Sequence, residues 1–409
     1  MNQANDYQAI ESETWKIRTP SHASEEGKEP LIVALIKHLN CYYDFRRNII
    51  TEKIEYKLCT DQEWQLLSDA FIGTIIIAYK ALKLNVSKDT LNNLFTSTFI
   101  KEYNPIKGYF DSLPAWDGQD YIKELAATVM TTDDATWHFY LEKWIVSMVR
   151  GAYFQDSVNQ LMLVFYGKQG VGKTRWFMKF LPKELKELFF SGYTKLEDQM
   201  FQAKPARYLI IFLDEIDTYS GRMQAVIKSV LTQEVVKIRP LFSSFDKEFR
   251  RIASFAAAIN HEKFLNDSSG SRRYLVVEVL KIDHNHSVSM DKVLTQAFAL
   301  AKDRDYRHYL NGAEITQLEL RNEQFKVKSD TEILIIQYYE PCREDDPDAR
   351  YISATQILNN IQEKSNMKLR CSVNYLGSVL RNLGFIKGHL GRGNEKRAVW
   401  LVKERDNFS

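Results

Sequence analysis

The sequence has few cysteines, almost no net charge and no long apolar run, and each absence excludes a class of protein. Its four cysteines, among 409 residues, are scattered without a C-x-x-C pair, so they suggest neither a zinc site nor a disulfide framework. The balance of 55 basic and 53 acidic residues excludes a disordered polyelectrolyte. No stretch approaches the roughly 18 apolar residues of a membrane span, and the polar first 26 residues lack a secretion signal. We expect a cytoplasmic protein without a membrane partner.

The length predicts several domains, and the residue patterns divide the chain into three. Residues 1–150 are dominated by helical periodicity, with strand-like alternation over 42–57, and are expected to form a mostly helical N-terminal domain. Short apolar runs between 151 and 326 are typical of parallel strands covered on both faces, which predicts an α/β core. The runs are Leu161–Tyr166, Tyr208–Leu213, Ile252–Ile259 and Tyr274–Leu280. The turn-forming residues of 103–118 predict a loop. A change in composition near residue 327 predicts that a third domain covers 327–409.

A glycine-rich segment directly follows the first apolar run. Its sequence, GKQGVGKT from Gly167 to Thr174, matches the phosphate-binding pattern G-x-x-x-x-G-K-[ST]. The glycines let the backbone curl around phosphate oxygens, Lys173 adds a positive charge, and the Thr174 hydroxyl suits Mg²⁺. An apolar strand before the loop and a helical pattern after it are the required context. We expect these residues to bind ATP: Gly167, Gln169, Gly170, Val171, Gly172, Lys173, Thr174 and Arg175.

Polar side chains end the next two apolar runs. Asp214 is expected to hold Mg²⁺, and Glu215 to orient or deprotonate the attacking water, with Asp217 as the rival for either role. Asn260 ends the third run, where a side-chain amide can hydrogen-bond a γ-phosphate or the water. The alternative for Asn260 is an ordinary strand-ending turn residue.

Two adjacent arginines, Arg272 and Arg273, precede the fourth apolar run. They are either a solvated strand edge or arginine fingers that stabilise charge on the transferring phosphoryl group. A finger supplied in trans would require a ring of subunits, and the sequence does not say which arginine acts. The expected catalytic set is Lys173, Glu215, Asn260, Arg272 and Arg273.

Taken in order, the segments GKQGVGKT, LIIFLDEID, FAAAIN and NDSSGSRRYLVVEV resemble the virulence-associated E family. This family of P-loop proteins from phages and mobile elements is similar to superfamily 3 helicases and to poxvirus-type primase-helicases. The resemblance covers roughly residues 30–285, including the upstream YNP and LPAWDG segments. It implies an AAA+-like ATPase core, often assembled as a hexameric ring on DNA. The DEID sequence departs from the family's acidic spacing, which leaves open how the metal-binding and water-activating roles are divided among Asp214, Glu215 and Asp217. No primase motif is present.

Basic residues with interleaved phenylalanines lie between the acidic run and Asn260. The resemblance implies that this interval forms a hairpin that grips single-stranded DNA in a central channel. The alternative is an ordinary amphipathic hairpin. The expected DNA contacts are Lys237, Arg239, Lys247, Arg250 and Arg251, with Lys247 the first choice.

The third domain shows two helical segments, then two strand-like segments joined by a turn, which is the layout of a winged helix. Its basic composition suits duplex DNA, although winged helices also bind proteins. The expected contacts are Arg381, Lys387, Arg392, Lys396 and Arg397.

Together these patterns predict an ATP- and Mg²⁺-dependent motor that acts on DNA, either a replicative helicase or a replication initiator of a phage or mobile element. We expect a homo-oligomer such as a hexamer. The alternative is a non-translocating ATPase switch, for example a helicase loader or an anti-phage defence effector. A small-molecule kinase is disfavoured because nothing in the sequence supplies an acceptor pocket.

Overall fold

The computed structural model describes residues 31–81, 84–192, 199–238, 246–266, 271–391 and 397–405. The chain divides into two compact units. The first contains the residues up to His261 together with Arg272–Glu319, and the second contains Glu262–Ser271 together with the residues from Leu320 onward. The class is mixed α/β, with parallel and antiparallel strands. None of the described helices combines the length and apolar character needed to cross a membrane.

The N-terminal part of the first unit packs helices on a small sheet. Its elements are α1 (Leu31–Tyr42), β1 (Tyr43–Asn48), β2 (Ile54–Leu58), β3 (Gln65–Leu66), α2 (Asp69–Ala81), α3 (Lys88–Thr96) and β4 (Lys101–Tyr103). The alternating residues 42–57 form the antiparallel hairpin of β1 and β2, and β4 adds to β1 in parallel. Leu35, Ile75 and Leu91 are buried between the helices and this sheet.

The predicted loop over 103–118 contains a helix, α4 (Pro105–Ser112). The Asn104 side chain accepts hydrogen bonds from the amides of Ile106 and Lys107, and Pro105 occupies the first helical turn. Asparagine before proline is a strong helix-starting combination, because the cap satisfies free amides and the proline has none to satisfy. The loop prediction is therefore wrong over these eight residues.

The core of the first unit alternates strands with helices. In chain order it contains α5 (Tyr121–Ala126), β5 (Val129–Thr131), α6 (Asp134–Tyr153), β6 (Met162–Tyr166), α7 (Lys173–Met178), β7 (Phe189–Ser191), α8 (Gln199–Ala203), β8 (Ile210–Asp214), α9 (Gly221–Thr232), β9 (Val235–Ile238), β10 (Lys247–Arg250), β11 (Ser254–Ile259), β12 (Tyr274–Ile282), α10 (Met290–Lys302) and α11 (Gly312–Asn322), whose last residues belong to the second unit.

Six of the eight described strands of this core form a sheet in the order β5-β12-β6-β11-β8-β7, and β9 and β10 pair separately. All neighbours are parallel except β5 and β12. The four apolar runs of the sequence are β6, β8, β11 and β12. The first three are buried on both faces over most of their length, whereas β12 has exposed residues beyond Val277. Helix α6 is fixed to the sheet by the Trp144 indole, which donates to the carbonyl of Phe255 at 3.0 Å. Since β11 lies between β6 and β8, the loops after these three strands meet at one edge.

The second unit is a small helical and stranded domain with its own apolar core. It contains α12 (Asp330–Tyr338), β13 (Tyr339–Glu340), β14 (Arg350–Ile352), α13 (Ala354–Ser365), α14 (Val373–Asn382), β15 (Ile386–Leu390) and β16 (Arg397–Glu404). Strand β16 pairs antiparallel with β13, β14 and β15. Residues 262–271 belong to this unit, and the amides of Phe264 and Leu265 donate to the carbonyl of Phe325.

Candidate functional site

Residues that are far apart in the sequence meet at the carboxyl edge of the parallel strands. Lys173 and Thr174 follow β6, Asp214 ends β8, and Asn260 follows β11. The Lys173 ammonium donates to Asn260 Oδ1 at 2.9 Å, and the Thr174 hydroxyl donates to Asp214 Oδ2 at 2.9 Å. Four of the side chains that the sequence analysis singled out therefore form one site.

The Lys173 ammonium is enclosed by protein acceptors. Besides Asn260 it donates to the carbonyls of Gly167 at 2.6 Å and Lys168 at 3.0 Å, and only 7% of the residue is exposed. Burial lowers the pKa of this ammonium, and the carboxylates of Asp214, Asp217 and Glu215 act in the opposite direction. An ammonium group has three donors, and all three are used here. An incoming phosphate oxygen must therefore replace at least one of these contacts.

The pair formed by Thr174 and Asp214 fits a hard divalent cation. Both side chains present oxygen atoms, which Mg²⁺ prefers, and the Asp214 carboxylate is exposed. Across the described residues no group of three or more His, Cys, Asp or Glu side chains could hold a metal ion. A cation at this pair would therefore depend on water or phosphate oxygens for its other ligands, as Mg²⁺ beside a nucleotide commonly does.

The glycine-rich loop has the curled backbone that an anion cradle requires. Gly170 and Gly172 have φ angles of 84° and 97°, in the left-handed region that favours glycine. Gly167 passes so close to β12 that an added Cβ would lie 2.5 Å from the Val279 carbonyl oxygen. The neighbouring Gln169 and Arg175 are exposed, and Val171 is half-buried. The Trp176 indole donates to the Thr128 hydroxyl at 2.8 Å, which anchors α7 directly behind the loop.

The two other acids of the DEID sequence are held differently from each other. Glu215 has φ 53° and ψ 41°, a left-handed conformation that costs about 1 kcal/mol in a residue other than glycine, and its carboxylate is exposed. Asp217 instead faces the end of β11, where its Oδ2 accepts from the amides of Asn260 at 3.1 Å and His261 at 2.9 Å. Sequence reasoning missed this contact because it joins residues more than 40 positions apart.

Arg272 and Arg273 lie at the opposite edge of the sheet. They directly precede β12, whose first residue, Tyr274, is paired with Met162 at the start of β6. The glycine-rich loop follows the other end of β6. The five residues of β6, at about 3.3 Å each, place this loop roughly 15–20 Å from the arginines. Both arginines line a cavity of about 420 Å³ together with Glu234. They therefore do not join the site around Lys173 within one chain.

Three of the expected DNA contacts lie on an antiparallel hairpin of β9 and β10, and each is beside an acid. Lys237 pairs with Glu248 at 2.9 Å, Lys247 with Glu52 at 3.6 Å, and Arg250 with Glu234 at 3.8 Å. Exposed pairs of this kind contribute little to stability, about 0–1 kcal/mol, so a DNA phosphate could replace the acid. Arg239 lies outside the described residues.

The expectation that Arg251 contacts DNA is wrong. Its side chain is only 1% exposed, and its guanidinium donates at 3.0 Å to the carbonyls of Ala253, Asn159 and Leu231. A guanidinium enclosed in this way has no surface to offer a phosphate. Arg251 instead joins the base of the hairpin to α9, through Leu231, and to the loop before β6, through Asn159.

The three predicted duplex-DNA contacts of the second unit that the structure describes are exposed. Arg381 lies on α14, opposite the buried face formed by Leu376, Val379 and Leu380, while Lys387 and Arg397 lie on β15 and β16. The predicted contacts Arg392 and Lys396 fall outside the described residues.

The site brings a buried ammonium, a threonine hydroxyl and an exposed carboxylate to one sheet edge, and comparison with known proteins identifies the family. A model of the virulence-associated protein E-like domain matches residues 110–327, more than half of the chain. The chain therefore belongs to the virulence-associated E family. The matched range, residues 110–327, begins and ends later than residues 30–285, the range over which the sequence segments resemble that family.

Solved structures of the C-terminal region of NrS-1 are also similar. Two of them have 14% and 12% sequence identity, cover 92% of this chain and 98% and 99% of theirs, and give TM-scores of 0.48 and 0.47. No curated protein matches the chain significantly. At these identities and scores the structural likeness says nothing about function.

Proposed function

We propose that this protein is an ATPase that drives a DNA-acting motor, as a replicative helicase or a replication initiator of a phage or mobile element. Its core would be an AAA+-like P-loop domain, and residues 327–409 would form a winged helix that binds duplex DNA. The observation that carries the proposal is the joining of Lys173 to Asn260 and of Thr174 to Asp214, each at 2.9 Å, at one sheet edge. Membership of the virulence-associated E family supports it.

Each residue of the site has a distinct role in this proposal. Lys173 would exchange a carbonyl contact for the β- and γ-phosphate oxygens of ATP. Thr174 and Asp214 would hold Mg²⁺, which when bound offsets negative charge on the phosphates. Glu215, exposed beside Asp214, would orient a water molecule and accept its proton. Asn260 would hydrogen-bond the γ-phosphate or that water once Lys173 moves toward the nucleotide.

The arginine pair supports an assembly of subunits. Because Arg272 and Arg273 lie at the edge opposite Lys173, they can stabilise a transferring phosphoryl group only in a neighbouring subunit. A homo-oligomeric ring, such as a hexamer, would bring that edge of one copy to the nucleotide of the next.

The test compares ATP turnover and nucleotide binding in the wild type and two variants. Lys173→Ala should abolish turnover, because it removes the charge that holds the phosphates. Glu215→Gln should keep ATP affinity but lower the turnover number by about 100-fold or more, the typical contribution of a general base. Normal turnover in Lys173→Ala would refute the phosphate site, and equal loss of binding in Glu215→Gln would make Glu215 a ligand or structural residue instead.

A second candidate function is a non-translocating ATPase switch, such as a helicase loader or a defence effector. The observation that favours it is the hairpin, where Lys237, Lys247 and Arg250 each lie beside an acid and Arg251 is buried. Electron microscopy of the full chain with an ATP analogue and single-stranded DNA separates the two candidates. A motor should form a closed ring around the DNA, whereas a switch should bind nucleotide without enclosing DNA.

A further inference from the structure

Asp217 fixes the backbone from which the Asn260 side chain projects. One carboxylate oxygen, Oδ2, accepts from two consecutive amides, those of Asn260 and His261. The strand bonds of β11 end at Ile259, so these amides lie beyond the sheet ladder. A carboxylate that accepts two N–H groups forms charge-assisted bonds, about twice as strong as neutral ones. Asp217 therefore determines where the chain goes as it leaves β11.

The same residue is tied to the turn that carries Glu215. Asp217 lies in a short 3-10 turn, Ile216–Thr218, that begins directly after Glu215. The Thr218 amide and hydroxyl both donate to the Glu215 carbonyl, at 3.0 and 2.8 Å, and stabilise its left-handed backbone. The carboxylate of Asp217 thus connects the end of β8 to the end of β11.

The hydrogen bonds that Asp217 accepts from two amides argue against a role in binding a metal or activating water. To reach a cation, Oδ2 would have to leave the amides of Asn260 and His261, and an amide left without a partner costs about 1–3 kcal/mol if buried. The other oxygen, Oδ1, is buried and has no hydrogen-bond partner among the residues that the structure describes. The carboxylates of Asp214 and Glu215, in contrast, are exposed and can be reached from solvent.

We propose that Asp217 is a positioning residue, which holds the backbone of Asn260 where its side-chain amide can reach the γ-phosphate or the attacking water. The proposal rests on the ATPase function proposed above. Lys173 and the glycine-rich loop hold the nucleotide and Asp217 only orients Asn260, so its loss affects hydrolysis more than binding. Asp217→Ala should lower the turnover number about tenfold or more, with KM for ATP and affinity for ADP changed less than about threefold.

The experiment measures kcat, KM, ADP affinity and thermal midpoint in the full chain for Asp217→Ala, Asp217→Asn and Asp217→Glu. The isosteric Asn variant can keep one oxygen acceptor and should recover part of the lost turnover. The matched control is Asp303→Asn, whose carboxylate also caps a backbone amide, that of Asp305 at 2.9 Å, on a loop away from the site. It should leave kcat unchanged.

A double-mutant cycle with Asn260→Ala decides whether Asp217 acts through that side chain. In the Asn260→Ala background, Asp217→Asn should cause no further loss of kcat. Independent, multiplying losses would overturn the proposal, as would parallel losses of kcat, ADP affinity and thermal midpoint.

A wild type without ATP turnover would overturn the proposed function and this inference with it. A normally active wild type with an equally active Asp217→Ala variant would overturn this inference alone.

Discussion

Replacing Arg251 by alanine tests whether the base of the hairpin is held by a buried cation. The side chain donates to the carbonyls of Ala253, Asn159 and Leu231, which come from three separate segments of the core. Arg251→Ala removes all three hydrogen bonds and leaves the carbonyls without this donor. We therefore expect the variant to be destabilised even though no catalytic group changes.

The magnitude follows from two opposing contributions. Three hydrogen bonds from a charged donor contribute about 4–9 kcal/mol, at about 1.5–3 kcal/mol each. Against this, burial lowers the pKa of Arg251 from 12.5 to about 10, which corresponds to a cost of about 3 kcal/mol for the charged form. The free energy of unfolding should fall by about 3 kcal/mol, and the thermal midpoint by about 5 °C, at about 2 cal/mol/K of unfolding entropy per residue of the first unit.

The assay is thermal unfolding of the full chain followed by calorimetry, with the neighbouring Arg250→Ala as the matched control. Arg250 is only partly buried and its ion pair with Glu234 is 3.8 Å long, so its removal should change the free energy of unfolding by less than about 1 kcal/mol. In the motor proposal Arg250→Ala should weaken binding of single-stranded DNA instead. An unchanged midpoint in Arg251→Ala, together with weakened DNA binding, would refute the assignment of Arg251 as a structural residue.

Two further predictions concern acid stability and duplex DNA. Burial lowers the pKa of His286 and of His308 below 6.5, so as the pH falls the unfolded chain takes up protons first. The contribution of these histidines to stability should be complete above about pH 6.5 and should decrease as the pH falls toward their lowered pKa values in the folded state. His308→Gln should make the thermal midpoint fall less steeply with decreasing pH. An unchanged slope of midpoint against pH would contradict the prediction. Arg381→Ala should weaken duplex DNA binding and reduce the slope of log affinity against log salt by about one, whereas an unchanged slope would assign α14 to a protein partner.

The strands of the core could be predicted because burial on both faces of a sheet requires apolar residues at nearly every position of a strand. In β11 all six residues are buried and five of them are apolar, while the one polar residue, Ser254, accepts a hydrogen bond from the Asn159 side-chain amide at 3.0 Å. The helix α4 has an equally clear signal in Asn104 and Pro105, although the turn formers that surround it favour a loop. The pairing of β4 with β1 left no local signal, because it depends on residues about 55 positions apart.

The site was predictable where one segment supplies its chemistry and unpredictable where the fold supplies it. The glycine-rich loop and Asp214 follow from local patterns, whereas the Asp217 contact depends on how two strand ends meet. Arg250 and Arg251 differ only in the direction of their side chains. Arg251 enters the buried run that continues into β11, and its position immediately before Ile252 and Ala253 was the available signal.

Calorimetric titration of the full chain with ATP, in the presence and absence of Mg²⁺, tests most directly whether the loop after β6 holds a triphosphate. The proposed site predicts saturable binding by the wild type that is strengthened by Mg²⁺ and lost in Lys173→Ala. Binding of equal affinity in the wild type and in Lys173→Ala, or no binding by the wild type, would contradict it.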